Sequence, residues 1–329
     1  MTTLTDRPEG LSAAPDVRCP LTGAAARLWH HVPCDWRRPG VQASWDLYWF
    51  EESSFGFVHP RPRAEDVPGF YQVDYYTHST PAQEERATLI DRVLRKLAWR
   101  ADHGVALDEA WLQDRLGAER KRVLDIGCGN GELLARMKHL GHDVVGVEPD
   151  PAARKVCTSQ GLTVHAGHGE AMPLALLGAR FDFVFLSHVL EHTLDPVVAL
   201  AAARDKLLPR GTLVVEVPNN AARGLAAAGI AWPWLDVPRH LTFFTGSSLL
   251  LALERAGFEV AATEHVGYVR QFERWWLEEE QRAWDAYART GAPQRRRPTR
   301  WNAWRLLRQT RRARDGEKYD SVRAVARRL

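Results

Sequence analysis

From Lys121 onward, short apolar runs alternate with helical stretches, and this rhythm constrains the fold of the 329-residue chain more than any other feature. The runs are RVLDIG, DVVGVEP, LTVHAG, FDFVFLSH, TLVVEVP and GFEVAATEHV, and the clearest helical stretches between them are GELLARMKHLG, DPVVALAAARDKLLPRG and TGSSLLLALERAG. A strand that is apolar throughout must be covered on both faces, which points to a parallel sheet flanked by helices. Right-handed crossovers then give an α/β, Rossmann-like, doubly wound and mostly parallel sheet. The terminal KYDSVRAVARR alternates as a last, seventh strand returning to that sheet.

The flanks read differently. Residues 1–16 are polar, with two prolines and no periodicity, and are expected to be disordered. Residues 17–80 are dense in Trp, Tyr, Phe and Pro, with turn signals at RRPG and HPRPR, and are expected to form a small, irregular N-terminal module containing strands. Residues 81–120 read as a helical linker or cover, with a helix start at Thr80–Pro81, Leu89, Val93 and Leu97 at helical spacing, and Gly104 as the stop. The main domain is expected over 121–329, with a helical insertion at about 268–315 before the last strand. Its aromatic stripe of Phe272, Trp275, Trp276 and Trp284 suits either a lid or packing, and packing is the default.

The net charge of +3 hides an asymmetry. From Arg289 to Leu329 there are 14 Lys/Arg against 3 Asp/Glu, a local +11, which leaves 3 − 11 = −8 for the rest. A basic tail can mark an acidic partner, but a solvated arginine-rich helix is the favoured reading, and no nucleic-acid recognition module accompanies it, so nucleic acid is not the expected partner. No apolar run is long enough to cross a bilayer, the N-terminus lacks a secretory h-region, and the four scattered cysteines form no disulfide framework. A cytoplasmic protein without membrane partners is expected, its oligomeric state left open with a dimer included.

A chain passing from strand to helix beneath a cofactor needs glycines where side chains would block the approach, here Gly127, Gly129 and Gly131. Their G-x-G-x-G spacing departs from the G-x-G-x-x-G of dinucleotide binding. Asp125, before the loop, would repel a pyrophosphate and suits an ammonium group. Glu148, closing the second strand, is placed to accept hydrogen bonds from ribose hydroxyls. An ammonium beside a free ribose describes S-adenosylmethionine better than NAD.

VLDIGCGNGELL resembles the first motif of class I S-adenosylmethionine-dependent methyltransferases, GVEPD their ribose-binding acid, and GHGEAMPL their adenine-side loop. FDFVFLSHVLEHTLDP and LLPRGTLVVEVPN resemble their fourth and fifth strands, and the resemblance runs from about Arg122 to Val260. It implies cofactor contacts at Asp125, Gly127, Cys128, Gly129, Gly131, Glu148, Pro149, Glu170, Ala171, Ser187 and His188. HVLEH, EVPN and DVPRHLTFFT narrow it to the branch that includes ubiquinone-type O-methyltransferases and antibiotic-sugar C-methyltransferases. Some of that branch carry N-terminal zinc knuckles of the form Cys-x-x-Cys-Gly. Here Thr22, Glu52 and Phe55 stand where cysteines would and only Cys19 remains, so a degenerate module without zinc or any other metal is expected. A site rescued by Cys19, His30 or His31, and Cys34 would have irregular spacing.

The resemblance makes His192 the first candidate general base, with Glu191 bracing the turn and His188 over the cofactor; a purely structural Glu191–His192 pair is the equal alternative. His240 is the runner-up base. Arg239 could bind a substrate carboxylate or phosphate, but pairing with Asp236 or another acid is the favoured reading. Tyr71, Tyr75 and Tyr76 could line the substrate pocket, although core packing is the commoner role, and Cys128 reads as a small filler. The expected activity is methyl transfer to oxygen or carbon of a small-molecule acceptor in specialised or sugar-related metabolism. The alternative is a non-catalytic protein that binds S-adenosylmethionine as partner or scaffold in a biosynthetic complex.

Overall fold

Aromatic and β-branched residues at alternate positions build a first sheet in the computed structural model, which describes residues 18–38, 40–41, 43–71, 88–291 and 299–329. Residues 1–16, Tyr75, Tyr76 and the helix start expected at Thr80–Pro81 lie outside the described residues. Strands β1 (Arg27–Val32), β2 (Trp45–Phe50) and β3 (Phe55–His59) pair antiparallel. The two-residue period of β2 sends Trp45, Leu47 and Trp49 into one apolar cluster and Tyr48 and Phe50 into another. Both faces of β2 are therefore covered, and the short module is wedged into the rest of the chain.

Helix α1 (Leu89–Ala101) starts where Thr88 and Asp91 form a reciprocal capping box, and α2 (Glu109–Leu116) starts on the side chain of Asp108. The main sheet follows as β4 (Arg122–Ile126), β5 (Asp143–Val147), β6 (Val164–His165), β7 (Phe181–Ser187) and β8 (Leu207–Pro218). Its crossovers are α3 (Glu132–His139), α4 (Pro151–Ser159) and α5 (Pro196–Lys206). Beyond β8 lie α6 (Arg223–Ala228), β9 (Thr242–Phe243), α7 (Gly246–Arg255), β10 (Phe258–Val266), α8 (Arg274–Ala288), α9 (Thr299–Thr310), α10 (Asp315–Lys318) and β11 (Ser321–Arg328).

The seven strands run in the order β6–β5–β4–β7–β8–β11–β10, with β11 antiparallel to both neighbours and β4 to β8 parallel. This is the doubly wound sheet expected from the apolar alternation. Leu124 and Ile126 pack with Leu200 and Ala203 of α5 and Leu249 and Leu253 of α7, whereas Val123 faces Leu134 and Met137 of α3. The order reverses between β4 and β7, so the carboxyl ends of those strands open a cleft.

One feature of the fold departs from expectation, and at Arg239 the favoured pairing with Asp236 is the one observed. The ladder crosses the boundary between module and main domain: β9 joins the first sheet as a fourth strand, with Gly56 opposite Phe243 and Phe57 opposite Thr242. Arg239, a candidate for substrate binding, is 0% exposed. Its guanidinium donates to both carboxylate oxygens of Asp35, at 2.9 and 2.8 Å, and to Asp236 at 3.1 Å. Arg37 meets the same Asp236 at 2.8 Å. Arg239 thus welds the module to the loop ahead of β9 and is sealed from any substrate. In the insertion, Trp276, Trp284 and Phe272 are buried in the core with Trp232 and Trp234, which is packing rather than a lid.

Removing the shared cation leaves two buried carboxylates short of a partner. Arg239→Leu is expected to lower unfolding free energy by about 3–5 kcal/mol in a denaturant titration. A loss under about 1 kcal/mol would show that the weld is dispensable.

Candidate functional site

The loop after β4 is shaped by what a side chain would meet. A Cβ on Gly127 would lie 2.4 Å from Cγ2 of Val189, and its φ of +73° is costly for any other residue. Gly129, at φ +53°, has nothing within 4 Å of a Cβ position, so the space a side chain would fill is open. Gly127 and Cys128 donate N–H groups to the Val147 carbonyl at 2.7 and 3.2 Å, which ties the loop to the end of β5. Cys128 is buried, and burial pushes its thiol well above the ordinary range, as suits a filler.

Two acids face this loop. Glu148 accepts from the N–H of Gly129 at 2.9 Å and of Asp150 at 2.8 Å; each bond uses one lone pair on a separate oxygen. The remaining lone pairs can serve a diol. Burial raises its carboxyl, which the two N–H bonds counter. Asp125 is 3% exposed, and among the described residues no hydrogen bond or ion pair reaches its carboxylate. Burial, and then the charge of Glu148, push it up to about 8. A buried carboxylate without a donor, beside a second carboxylate and an open glycine backbone, is a cradle for a cationic ligand bearing hydroxyls. These residues fit S-adenosylmethionine: Asp125 would hold its ammonium and Glu148 its ribose.

Pro149 lies beside Glu148 and its carbonyl accepts from Arg154 at 2.6 Å. Glu170 and Ala171 lie on the loop before β7. The Glu170 oxygens accept the N–H groups of Leu194 at 3.1 Å and Asp195 at 2.6 Å, at the start of α5. Each bond uses one lone pair on a separate oxygen, as at Glu148.

Past Ser187, at the end of β7, the backbone turns through His188 at φ +55°. The ring of His188, expected over the cofactor, is clamped, Nδ1 3.1 Å from Glu191 and Nε2 3.1 Å from Glu216, and stacked on Trp234. Burial alone would lower its pKa, but the two carboxylates raise it to about 9, so the ring is an imidazolium at neutral pH. Glu216 in turn accepts from Arg323 at 2.9 and 2.8 Å, and Arg323 reaches Glu264 at 3.0 Å. These residues escaped the sequence reading, although a charged residue inside the apolar runs TLVVEVP and SVRAV was the available signal. Arg323 stands opposite both Glu216 and Glu264 in the strand registers.

His192 is half-buried, in a 3-10 turn over Leu190–His192. Its Nδ1 lies 3.0 Å from the Arg239 carbonyl and 2.8 Å from the Tyr71 hydroxyl. A carbonyl only accepts, so the proton sits on Nδ1 and Nε2 keeps its lone pair. His240 crosses the ring edge-on at 4.6 Å between centroids, and its Nδ1 donates to the Trp234 carbonyl at 2.8 Å. It is 2% exposed, and burial followed by the charge of His192 lowers its pKa to about 4, which makes it a weak base away from solvent. Glu191 is 1% exposed with Oε2 unpartnered. One ligand atom each from Glu191, His192 and His240 lies within 4.8 Å of the others, a separation that suits a divalent cation. Among the described residues the N-terminal module has no such group: the Cys19 thiol is 3.3 Å from the Ser53 hydroxyl.

A model of the family described as "Methyltransferase domain" matches residues 84–263. A ubiquinone biosynthesis O-methyltransferase of Cereibacter sphaeroides is 37% identical over 148 residues, 42% of this chain and 60% of the relative. One from Ruegeria pomeroyi is 35% identical over 158 residues, 44% and 64% of the two chains. The chain thus spans less than two thirds of the length of these relatives. Among solved structures, a SAM-dependent methyltransferase from Archaeoglobus fulgidus overlays at TM-score 0.43 with 20% identity, over 67% of this chain and 92% of the other. The [4+2]-cyclase SpnF overlays at 0.42 with 19% identity, over 72% and 80%.

Two pH dependences follow. Because the folded pKa of His188, about 9, exceeds the free value of 6.5, its contribution is complete below pH 6.5 and lost as pH rises through 9. Unfolding free energy should fall by on the order of 3 kcal/mol across that window, and the fall should be flatter in His188→Gln. Binding of S-adenosylhomocysteine should tighten from pH 6 to 8 as Asp125 loses its proton, by at most about tenfold per pH unit. Calorimetry on Asp125→Asn should give weaker and flatter binding; an unchanged slope would remove Asp125 from the cradle.

Proposed function

The chain belongs to the methyltransferase-domain family, and from that premise we propose that it transfers a methyl group from S-adenosylmethionine to an oxygen of a small-molecule acceptor, with His192 as general base. The observation that carries the reading is the Nδ1 contact of His192 to the Arg239 carbonyl, which leaves Nε2 with its lone pair at the carboxyl end of β7. When bound, S-adenosylmethionine supplies an activated methyl carbon. Asp125 and Glu148 hold the cofactor's amino-acid and ribose ends against the Gly129 backbone. Nε2 of His192 accepts the acceptor's hydroxyl proton as the oxygen becomes nucleophilic.

The resulting imidazolium has Glu191 beside it, whose carboxyl is held below its usual range: burial raises it, but the His188 bond and charge outweigh that. The His188 imidazolium neutralises Glu216 and shares Glu191, so the brace stays fixed while His192 gains and loses its proton. Tyr71 closes the acceptor side through its hydroxyl on the same ring. Oxygen is preferred to carbon because the curated relatives are O-methyltransferases by name and a hydroxyl needs a weaker base than a carbon acid. A phenolic or enolic hydroxyl in specialised metabolism fits best.

A panel of phenols, catechols and sugar-linked hydroxyls, assayed by release of S-adenosylhomocysteine, tests the activity. With a turned-over acceptor, His192→Ala should cut kcat by about 10²–10⁴ while binding of S-adenosylhomocysteine stays within about twofold. Unchanged turnover would end the base assignment. Loss of activity on chelation, restored by a divalent ion, would transfer proton removal to a cation at Glu191, His192 and His240.

A further inference from the structure

A second cleft lies between the end of the first sheet and the turn that carries Tyr71. It has a volume of 550 Å³, and its walls include Arg38, Trp45, Arg61, Arg63, Asp66 and Phe70. Three cations and one acid give it a net positive lining. Two of the cations are already used: Arg63 meets Glu65 at 2.8 Å and Asp66 at 3.0 Å, and Arg38 donates to the Gly69 carbonyl at 2.6 Å.

Arg61 is different. It is exposed, and among the described residues no carboxylate comes within ion-pair distance of it. The acids that act on it from farther away are Asp195 and Glu170, and both already bind backbone N–H groups at the start of α5. Pro60 and Pro62 flank it, fixing φ on either side and holding Arg61 itself in an extended conformation. The guanidinium lies 6.0 Å from the Phe57 ring centroid. An arginine presented stiffly, with no ion-pair partner among the described residues, at the mouth of a cleft with aromatic walls, suits a planar anion. The cleft also adjoins the base: Phe70 precedes Tyr71, whose hydroxyl is 2.8 Å from His192, and Asp195 lies three residues beyond His192.

We infer that this cleft holds the anionic end of the methyl acceptor, a phosphate or a carboxylate, with Arg61 as its ion-pairing residue and Trp45 and Phe70 against the flat part of the molecule. The word "acceptor" rests on the methyl-transfer reading above; the binding of an aromatic anion does not.

The test titrates the full chain, with and without saturating S-adenosylhomocysteine, by calorimetry with phenyl phosphate, benzoate, phenol and inorganic phosphate. Phenyl phosphate or benzoate should bind saturably and at least about tenfold more tightly than phenol or inorganic phosphate. Preference between the two anions then tells phosphate from carboxylate. R61Q should weaken the preferred anion about tenfold, while R120Q, which removes an exposed arginine just before β4 that pairs with Asp143, should not. R61Q should keep the thermal midpoint of the unaltered protein, since no ion pair among the described residues depends on Arg61.

Absence of saturable binding by both aromatic anions would overturn the inference. So would equal binding in R61Q and R120Q, or inorganic phosphate matching phenyl phosphate. If S-adenosylhomocysteine itself fails to bind, the methyl-transfer reading falls while the anion result stands on its own.

Discussion

Arg239 holds two parts of the protein together and aims a third. Its guanidinium joins Asp35 of the N-terminal module to Asp236 of the loop ahead of β9, with no exposure to solvent. Its carbonyl meanwhile accepts the Nδ1 proton of His192. A buried cation between two carboxylates tolerates little displacement, because each ångström of slack costs charge pairing where no water can substitute. The same residue that docks the module therefore fixes the tautomer of the candidate base. The module and the turn that carries His192 cannot move independently, and the β3–β9 ladder enforces the same restriction through the backbone.

Around this weld the charges separate by task. His188, Glu191, Glu216, Arg323 and Glu264 neutralise one another through short contacts and form a brace running from the turn after β7 across β8 and β11 to β10. Asp125 stands apart. It is as buried as the brace, yet no donor among the described residues reaches it. A carboxylate in that position is stable only when protonated or when a cation arrives, so its raised pKa and its suitability for an ammonium group have one cause. The brace supplies rigidity and the lone acid supplies selectivity. The insertion adds to the former: Trp276 of α8 packs edge-on to Trp234, the ring on which His188 stacks.

The parts of this arrangement that were legible in the sequence are those set by local pattern. Apolar runs covered by helices dictate the seven-stranded sheet, and the glycine triplet with Asp125 and Glu148 marks the cradle because spacing along the chain equals spacing in a βα turn. What pairs across distance was not legible. Arg239 and Asp35 are 204 residues apart, and nothing in DVPRH distinguishes an arginine waiting for substrate from one already satisfied. For His188 the partner Glu191 is local, whereas Glu216, the partner of its other nitrogen, arrives from a different strand. Glu216 and Arg323 were each visible as a charge inside an apolar run; only the antiparallel register of β11 on β8 makes them a pair.

The N-terminal module has a physical reading in the same terms. A short module that cannot bury enough apolar surface of its own needs outside support. Here alternate residues of β2 feed two separate cores, and β9 closes the sheet with two residues from the main domain. Phe55 is fully buried, its ring 6.3 Å from Phe50 and 5.0 Å from Phe244 of the main domain. The Cys19 thiol lies 3.3 Å from the Ser53 hydroxyl. Packing against the rest of the chain is what holds the module in place. The module's position therefore depends on the main domain, and the walls it contributes, Tyr71 on His192 and Arg61 at the second cleft, are set by the same contacts that hold it in place.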